Sequence, residues 1–321
     1  MLRTTRRAEP SAMEETWVPI VATVPSAYRR FNTTYSQTMH SPPASTTHRP
    51  SFKVDQPNES GSGEPTRAER LYRCEAIVLA RMDLGEADRI VTLYSRQHGK
   101  LRVIAKGARR PMSRLGPHLE YFSRARLMLA RGRDLDVVTG AETEDAHLSI
   151  RDNLDALGHA SHMVEILARL TEDRQENRAI FELLDRSLRL LADGVDAFHV
   201  TRHYELVLLT MLGYRPELIR CVECQAKLEP APHPFAISLG GLVCDICRGR
   251  AAGARIASVD AQKYLRVLER GGLGATVQLE IGESLRSELE GMIGAYLRHI
   301  AERDLGSLRV WRELGGGGEA V

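Results

Sequence analysis

From Tyr72 onward the chain alternates. Tyr72, Cys74, Ala76, Val78 and Ala80 take one parity and Arg73, Glu75, Ile77, Leu79 and Arg81 the other, the period-two pattern of a strand. Asp83 to Asp88 interrupts it. Arg89–Tyr94 predicts a second strand and Lys100–Lys106 a third, with His98-Gly99 as turn chemistry, so 89–106 reads as a hairpin. Gly107 to Pro117 reads as a loop. Ser123–Leu129 and Leu135–Thr139 predict the fourth and fifth strands, joined around Gly132. Five short strands in about 70 residues suit a small closed or nearly closed barrel of the OB type.

The period then changes to helical. Leu154, Leu157, Met163, Ile166, Leu167 and Leu170 predict a helix over 148–170, and Ile180, Leu184, Leu188 and Leu191 a second, ended near Gly194. Phe198–Leu212 is apolar on nearly all sides, which predicts a buried central helix capped at Gly213. Ser258 and Asp260 open a helix to about Arg270. Leu285, Leu289, Met292, Ile293, Tyr296 and Ile300 predict another, and Leu308–Leu314 a short last element. The fold class is α+β: an N-terminal five-stranded OB-type β-barrel, then an all-α domain.

Before Arg67 neither period exists. Of the first 66 residues, 26 are Ser, Thr or Pro. Such a stretch cannot bury enough surface to offset its ordering entropy, so 1–66 is expected to be a disordered extension. No apolar run follows Arg3, Arg6 and Arg7, which argues against a secretory signal, and no run is long enough for a membrane-spanning helix.

Charge changes the picture. The net charge of +2 hides an asymmetry: 67–133 carries 16 Lys and Arg against 6 Asp and Glu, while 134–321 is net −9. A basic module beside an acidic one points to a polyanion-binding barrel. With Leu101, Val103 and Ala105 inward, Arg102 and Lys106 point outward. With Ala125, Leu127 and Leu129 inward, so do Arg124 and Arg126. These four are expected to share one outer face, to which the loop adds Arg109, Arg110 and Arg114. Cationic grooves of this kind hold single-stranded nucleic acid, and Tyr121 and Phe122 are candidate base platforms.

Cys221-Val-Glu-Cys224 and Cys244-Asp-Ile-Cys247 are two CxxC knuckles separated by residues 225–243. Four thiolates at this spacing are the pattern of one structural, tetrahedral zinc ion, which leaves no open position for catalytic water. The intervening loop, with Pro230, Pro232, Pro234 and Gly240-Gly241, is expected to be ordered by the metal. His233 reads as a loop residue and Cys74 as a small buried hydrophobe. His159 and His162 read as satisfied or exposed side chains, with no acidic partner at matching spacing. No GxxxxGK[ST], GxGxxG after a strand, HExxH or GxSxG is present. A binding protein, not an enzyme, is expected.

Tyr72-Arg-Cys-Glu-Ala-Ile-Val-Leu-Ala80, Gly85-Glu-Ala-Asp-Arg-Ile-Val-Thr-Leu-Tyr94, His98-Gly-Lys-Leu-Arg102 and Lys106-Gly-Ala-Arg-Arg-Pro111 resemble the RecO family of bacterial DNA repair proteins. The Cys221–Cys247 knuckles look like that family's zinc insert, and Leu305-Gly-Ser-Leu308 like its C-terminal signature. The likeness covers 70–314. Residues 1–66 have no counterpart in it, Met112 stands where it suggests another cation, and some members lack the four Cys. It implies a recombination mediator that binds single- and double-stranded DNA and anneals complementary strands without ATP. It also implies contact with single-strand-binding protein, RecA loading together with RecR, and a cytoplasmic, nucleoid-associated location. The DNA contacts carried over are the basic stretch 106–114, Arg89 and Arg102.

The domain plan expected is thus an extension 1–66, an OB domain 67–145, helical parts 146–220 and 251–314 around a zinc insert 221–250, and a flexible end 315–321. An RNA-binding OB and zinc protein associated with the ribosome is the alternative, separable by preference for the 2′-OH. An accessory fragment of an OB- and zinc-containing ligase would need a nucleotidyl-transfer lysine domain, for which the chain has no region.

Overall fold

The computed structural model describes residues 70–251 and 253–315, those from 303 on by backbone alone. The expected disorder of 1–66 and residues 316–321 of the expected flexible end 315–321 lie outside the described residues, while Gly315 belongs to a helix. Five strands, β1 (Leu71–Leu84), β2 (Asp88–Ser95), β3 (Gly99–Ala105), β4 (Arg124–Ala130) and β5 (Asp136–Asp145), close into a barrel in the order β1-β2-β3-β5-β4. A short parallel pairing of Val103 with Asp136 and Ile104 with Val137 closes it. The other neighbours are antiparallel.

The alternation finds all five strands, with two differences. β5 runs past Thr139 to Asp145, pairing as far as Arg124 with Asp145. Its second half, Glu142-Thr-Glu-Asp145, has no apolar alternation because it faces the cations of β4. In β1 the register shifts between Val78 and Ala80. Cys74, Ala76 and Val78 face the core before it. Beyond it Arg81 and Asp83 oppose Val91 and Arg89 on the inward parity, and Ala80, Met82 and Leu84 face out. One extra residue in a strand exchanges its faces. The core is closed below by Ala108 and Leu119, so the stretch 107–119 is not only a loop but a lid.

The predicted helix over 148–170 is two: α1 (Leu148–Asp152) and α2 (Leu154–Leu170). Asn153 separates them in an extended conformation, and its side chain accepts from the N–H groups of Asp155 and Ala156. An Asn so placed favours capping over helix continuation. α3 (Arg178–Ala192) and α4 (Ala197–Met211) follow. Gly213, at φ +85, ends α4 as expected, with Tyr214 N–H donating to Leu209 O at 2.7 Å. α4 is buried nearly all round, yet not by apolar residues alone: His199, Thr201, Arg202, His203 and Glu205 are buried. His199 Nδ1 lies 2.7 Å from Tyr264 Oη, and Arg202 donates to Glu205 at 3.0 Å. Burial of such groups is tolerable only with partners of this kind.

The insert forms a small sheet in the order β7-β6-β8, from β6 (His233–Ala236), β7 (Gly241–Leu242) and β8 (Arg255–Ala257). Leu228, Phe235, Leu242 and Val243 are buried, so this segment carries more apolar surface than its Pro and Gly content suggests. α5 (Val259–Gly271) starts at Ser258, whose hydroxyl accepts from Ala261 N–H at 3.1 Å. A single turn, α6 (Leu273–Thr276), leads to α7 (Glu283–Gly315). α7 is continuous as backbone to Gly315, so the expected separate element at 308–314 is its last part.

The barrel and the helices dock through the neighbouring positions Ile77, Tyr94, Lys100 and Arg124 of β1 to β4. Ile77 and Tyr94, though outward in parity, are buried. Lys100 Nζ donates to Ala168 O at 2.8 Å and to Thr171 O, the free carbonyls at the end of α2. Arg174 N–H donates to Lys100 O at 2.8 Å. The approach is so close that a Cβ on Gly99, at φ +62, would sit 1.9 Å from Gln175 O. Gly99→Ala is therefore expected to cost at least ~2 kcal/mol of stability, read by denaturant unfolding; an unchanged midpoint would contradict this docking.

Candidate nucleic-acid interface and metal centre

The eight cations singled out from sequence do not form one face. β5 lies between β3 and β4, so Arg102 and Lys106 project from a different flank than Arg124 and Arg126. Each is outward as expected, but their surroundings differ. Arg124 is the centre of an ion cluster: Glu75 at 2.6 Å, Glu144 at 3.0 Å and Asp185 of α3 at 3.1 Å. Arg126 pairs with Glu144, and Arg189 with Asp185 at 2.6 Å. Arg96 joins Glu75 at 3.3 Å to Glu182 at 3.2 Å. Arg124 is thus a docking residue, with its charge matched by carboxylates.

Arg89 and Arg109 are held at the barrel mouth. Arg89 has the inward parity, opposite Ala105 and Asp83. Its Nε lies 3.1 Å from Asp83 Oδ1, and Arg109 Nε lies 3.3 Å from Asp83 Oδ2. Arg109 also donates to Gly85 O at 2.9 Å. Arg81 pairs with Glu120, and its guanidinium sits 4.4 Å from the centre of the Tyr121 ring. Phe122 is buried, so of the two aromatics Tyr121, 38% exposed, is the one open to a base.

Four of the eight remain exposed with no ion-pair partner among the described residues: Arg102, Lys106, Arg110 and Arg114. The loop that carries the last two is fixed. Gly107 N–H donates to Asp88 at 2.8 Å, Arg109 N–H to Ala87 O at 2.9 Å, and Gly116 N–H to Ser113 Oγ at 3.1 Å. With Ala108 and Leu119 anchored in the core, Arg110, Met112 and Arg114 project outward. The acids that divide the cations, Glu75, Asp83, Glu144 and Asp185, were the missing signal. The run Glu142-Thr-Glu-Asp145 facing β4 was its only trace in the sequence.

The knuckles meet. The sulfurs of Cys221, Cys224, Cys244 and Cys247 all lie within 4.8 Å of one another, and Cys224 and Cys244 are 3.7 Å apart. A tetrahedral ion with metal–sulfur bonds of about 2.3 Å needs sulfurs about 3.8 Å apart, so the four fit one ion. Gln225, at φ +61, turns the chain after the first knuckle, with its N–H donating to Cys221 O at 2.9 Å. Burial pushes the Cys221 thiol up, but backbone N–H groups of Cys224, Cys244 and Glu223 outweigh it and bring it down to about 6. These donors favour a thiolate, the form a metal needs. Gln262 donates to Ala231 O at 2.8 Å and Arg266 to Leu218 O at 2.8 Å, tying the insert to α5. His233 is buried on β6, not in a loop; its Nε2 lies 2.9 Å from Glu229 O, outside the cysteine cluster.

His159 and His162 are satisfied, by Thr201 at 2.8 Å and Glu205 at 2.6 Å. Against the sequence reading, an acidic partner does stand at matching spacing: His159 lies 3.7 Å from Asp155 of its own helix, while His162 takes Glu205 from α4. No helix among the described residues is long and apolar enough to cross a membrane.

The family model for the N-terminal part of recombination protein O matches residues 70–147, and that for its C-terminal part matches 151–309. The chain belongs to the RecO family. The first RecO match covers the barrel and the second the helices with the insert. A DNA repair protein RecO from Roseiflexus sp. is 42% identical over 240 residues, 75% of this chain and 84% of the relative. RecO of Pelotomaculum thermopropionicum is 38% identical over 238 residues, covering 74% of this chain and 92% of that one. RecO of Dehalococcoides mccartyi is 35% identical over 233 residues, 73% and 92%.

Two outcomes follow from the Arg124 cluster. Arg124→Ala leaves the nearly buried Asp185 facing Glu75 and Glu144, and is expected to lower unfolding free energy by about 3 kcal/mol, measured in denaturant. Burial, opposed by Arg124, raises Asp185 to about 6 from 3.8. The folded protein therefore holds a proton there that the unfolded chain releases, and the contribution of Asp185 to stability grows as pH falls from about 6 to about 4. The stability gap between wild type and Asp185→Asn should shift in favour of wild type on going from pH 7 to pH 5. A gap that is flat with pH would refute it.

Proposed function

We propose that the protein is a non-catalytic mediator of recombinational DNA repair. It binds single- and double-stranded DNA, anneals complementary strands without ATP, and assists RecA loading together with RecR and single-strand-binding protein. The observation that carries the reading is the unpaired set Arg102, Lys106, Arg110 and Arg114 on the β3 flank and lid of the barrel. Charges without a protein partner are available to phosphates, and the release of counterions drives binding. Annealing follows from the same surface, which lowers repulsion between two phosphate chains. That relatives of this chain are DNA repair proteins supports the setting of DNA repair.

The four cysteines, in this reading, hold one structural zinc. The ion supplies thiolate bonds whose energy appears as folding energy. Cys221 and Cys247, both buried, fix it to the helical lobe, while Gln262 and Arg266 carry that order into α5.

The test is DNA binding over a salt series. With about four phosphates neutralised, the log–log slope for single strands should be roughly −3. Replacing Arg102, Lys106, Arg110 and Arg114 by Ala should flatten the slope and weaken all sequences alike, with the melting temperature unchanged. A flat slope in the wild type would sink the reading, and tighter binding to matched RNA would favour an RNA-binding protein.

For zinc, metal analysis should give one ion per chain. Cys244→Ser or chelation should raise hydrogen exchange over 213–257 and lower stability. Metal-free native protein with four reactive thiols would refute the site.

A further inference from the structure

The four clustered cysteines are not equivalent toward solvent. Cys221 is 0% and Cys247 8% exposed, whereas Cys224 is exposed and Cys244 partly so. Each knuckle thus buries one sulfur and presents the other. The two presented sulfurs come from opposite knuckles and face each other at 3.7 Å. The residues beside them open the same side to water: Glu223, Gln225 and Asp245 are exposed, and Ile246 is 94% exposed.

The backbone behind this pair is held by other contacts. Val222 N–H donates to Leu242 O at 2.9 Å, and Leu228 N–H to Ile219 O at 3.1 Å. Phe235 pairs with Leu242 across the β6–β7 hairpin, and its ring meets that of Tyr296 at 5.6 Å. Tyr296 Oη in turn donates to Tyr214 O at 3.1 Å, so the sheet is tied to α7 as well as to α5. The ends of the segment 225–243 are therefore already together. A bond between Cys224 and Cys244 would close a loop that the fold has closed, and the sulfurs need only approach to about 2.05 Å.

We infer that Cys224 and Cys244 form a site of reversible oxidation by hydroperoxides, at which a disulfide replaces the bound metal. The inference rests on the zinc reading above and adds a chemistry to the same site. An accessible thiolate beside a second sulfur that can resolve it is the arrangement of redox-sensing cysteines. Cys224 Sγ attacks one peroxide oxygen; the O–O bond breaks, hydroxide leaves, and Cys224 becomes a sulfenic acid. Cys244 Sγ then attacks that sulfur; the S–S bond forms, the S–O bond breaks, and a second hydroxide leaves. Each sulfur has given up one electron, and hydrogen peroxide with two protons from solvent has become two waters. Cys221 and Cys247 are then the only thiolates left, too few for a tetrahedral ion, which is released. Backbone donors favour the Cys221 thiolate, but with no exposed surface it is screened from the oxidant.

The test titrates hydrogen peroxide into the zinc-loaded full chain in the presence of a chromogenic zinc chelator, against a sample without peroxide. Thiols are counted and the bridge is located by peptide mass spectrometry. One equivalent of peroxide is expected to release one zinc per chain and to remove two of the five thiols, in a Cys224–Cys244 bridge. A thiol reductant followed by added zinc should restore both the metal and the thiol count. Cys74→Ala, which changes a buried sulfur outside the cluster, should release zinc as the wild type does. Zinc retained in about tenfold excess of peroxide would overturn the exchange while leaving the zinc reading intact. So would release accompanied by sulfinic acids without a bridge, or a bridge that contains Cys221 or Cys247. Native protein that holds no zinc before oxidant is added would remove the zinc reading and the exchange with it.

Discussion

The cluster around Arg124 is the constraint on which the arrangement of this molecule depends. One guanidinium touches carboxylates from β1, β5 and α3, so a single side chain joins three parts of the chain far apart in sequence. Isolated surface pairs contribute little, but here Asp185 and Glu75 are shielded from water and their partners cannot be replaced by solvent. Lys100 does the same on the other side of the dock, where it caps α2. Between the two, barrel and helices are held so that one flank of the barrel is covered and the β3 flank is open.

That division explains how much of the interface was legible. Inward and outward faces of β3 and β4 follow from alternation alone, and the assignments of Arg102 and Arg126 to the outside agree with the structure. What alternation does not contain is strand order. Arg102 and Arg124 look equivalent in sequence, and become different only when β5 is placed between their strands and α3 is laid against one of them. The carboxylates that neutralise Arg124 come from positions 75, 144 and 185, a spacing with no local signature. Arg89 shares the inward parity of Val91, and the extra residue in β1 sets Asp83 opposite it.

The metal centre was legible because its signature is local. Two CxxC pairs specify their own knuckle geometry, and the chain between them needs only to bring the pairs together. The buried Phe235, Leu242 and Val243 do part of that work. The helix break at Asn153 and the lid residues Ala108 and Leu119 were hidden for the opposite reason. Each reads as ordinary helix or loop until a tertiary partner gives it a role.

The irregularity in β1 between Val78 and Ala80 has a consequence for how the sequence can vary. It works as a frame shift in the strand's two-letter code. Upstream of it the outward letters belong to the dock; downstream they belong to the open flank. Were Leu79 paired in regular alternation instead of left as the extra residue, Met82 and Leu84 would turn into the barrel and Arg81 and Asp83 would come out. The carboxylate that orients Arg89 and Arg109 would leave the mouth. A change that forces Leu79 into the ladder therefore rewrites both surfaces at once, whereas its deletion leaves every later residue on its present face.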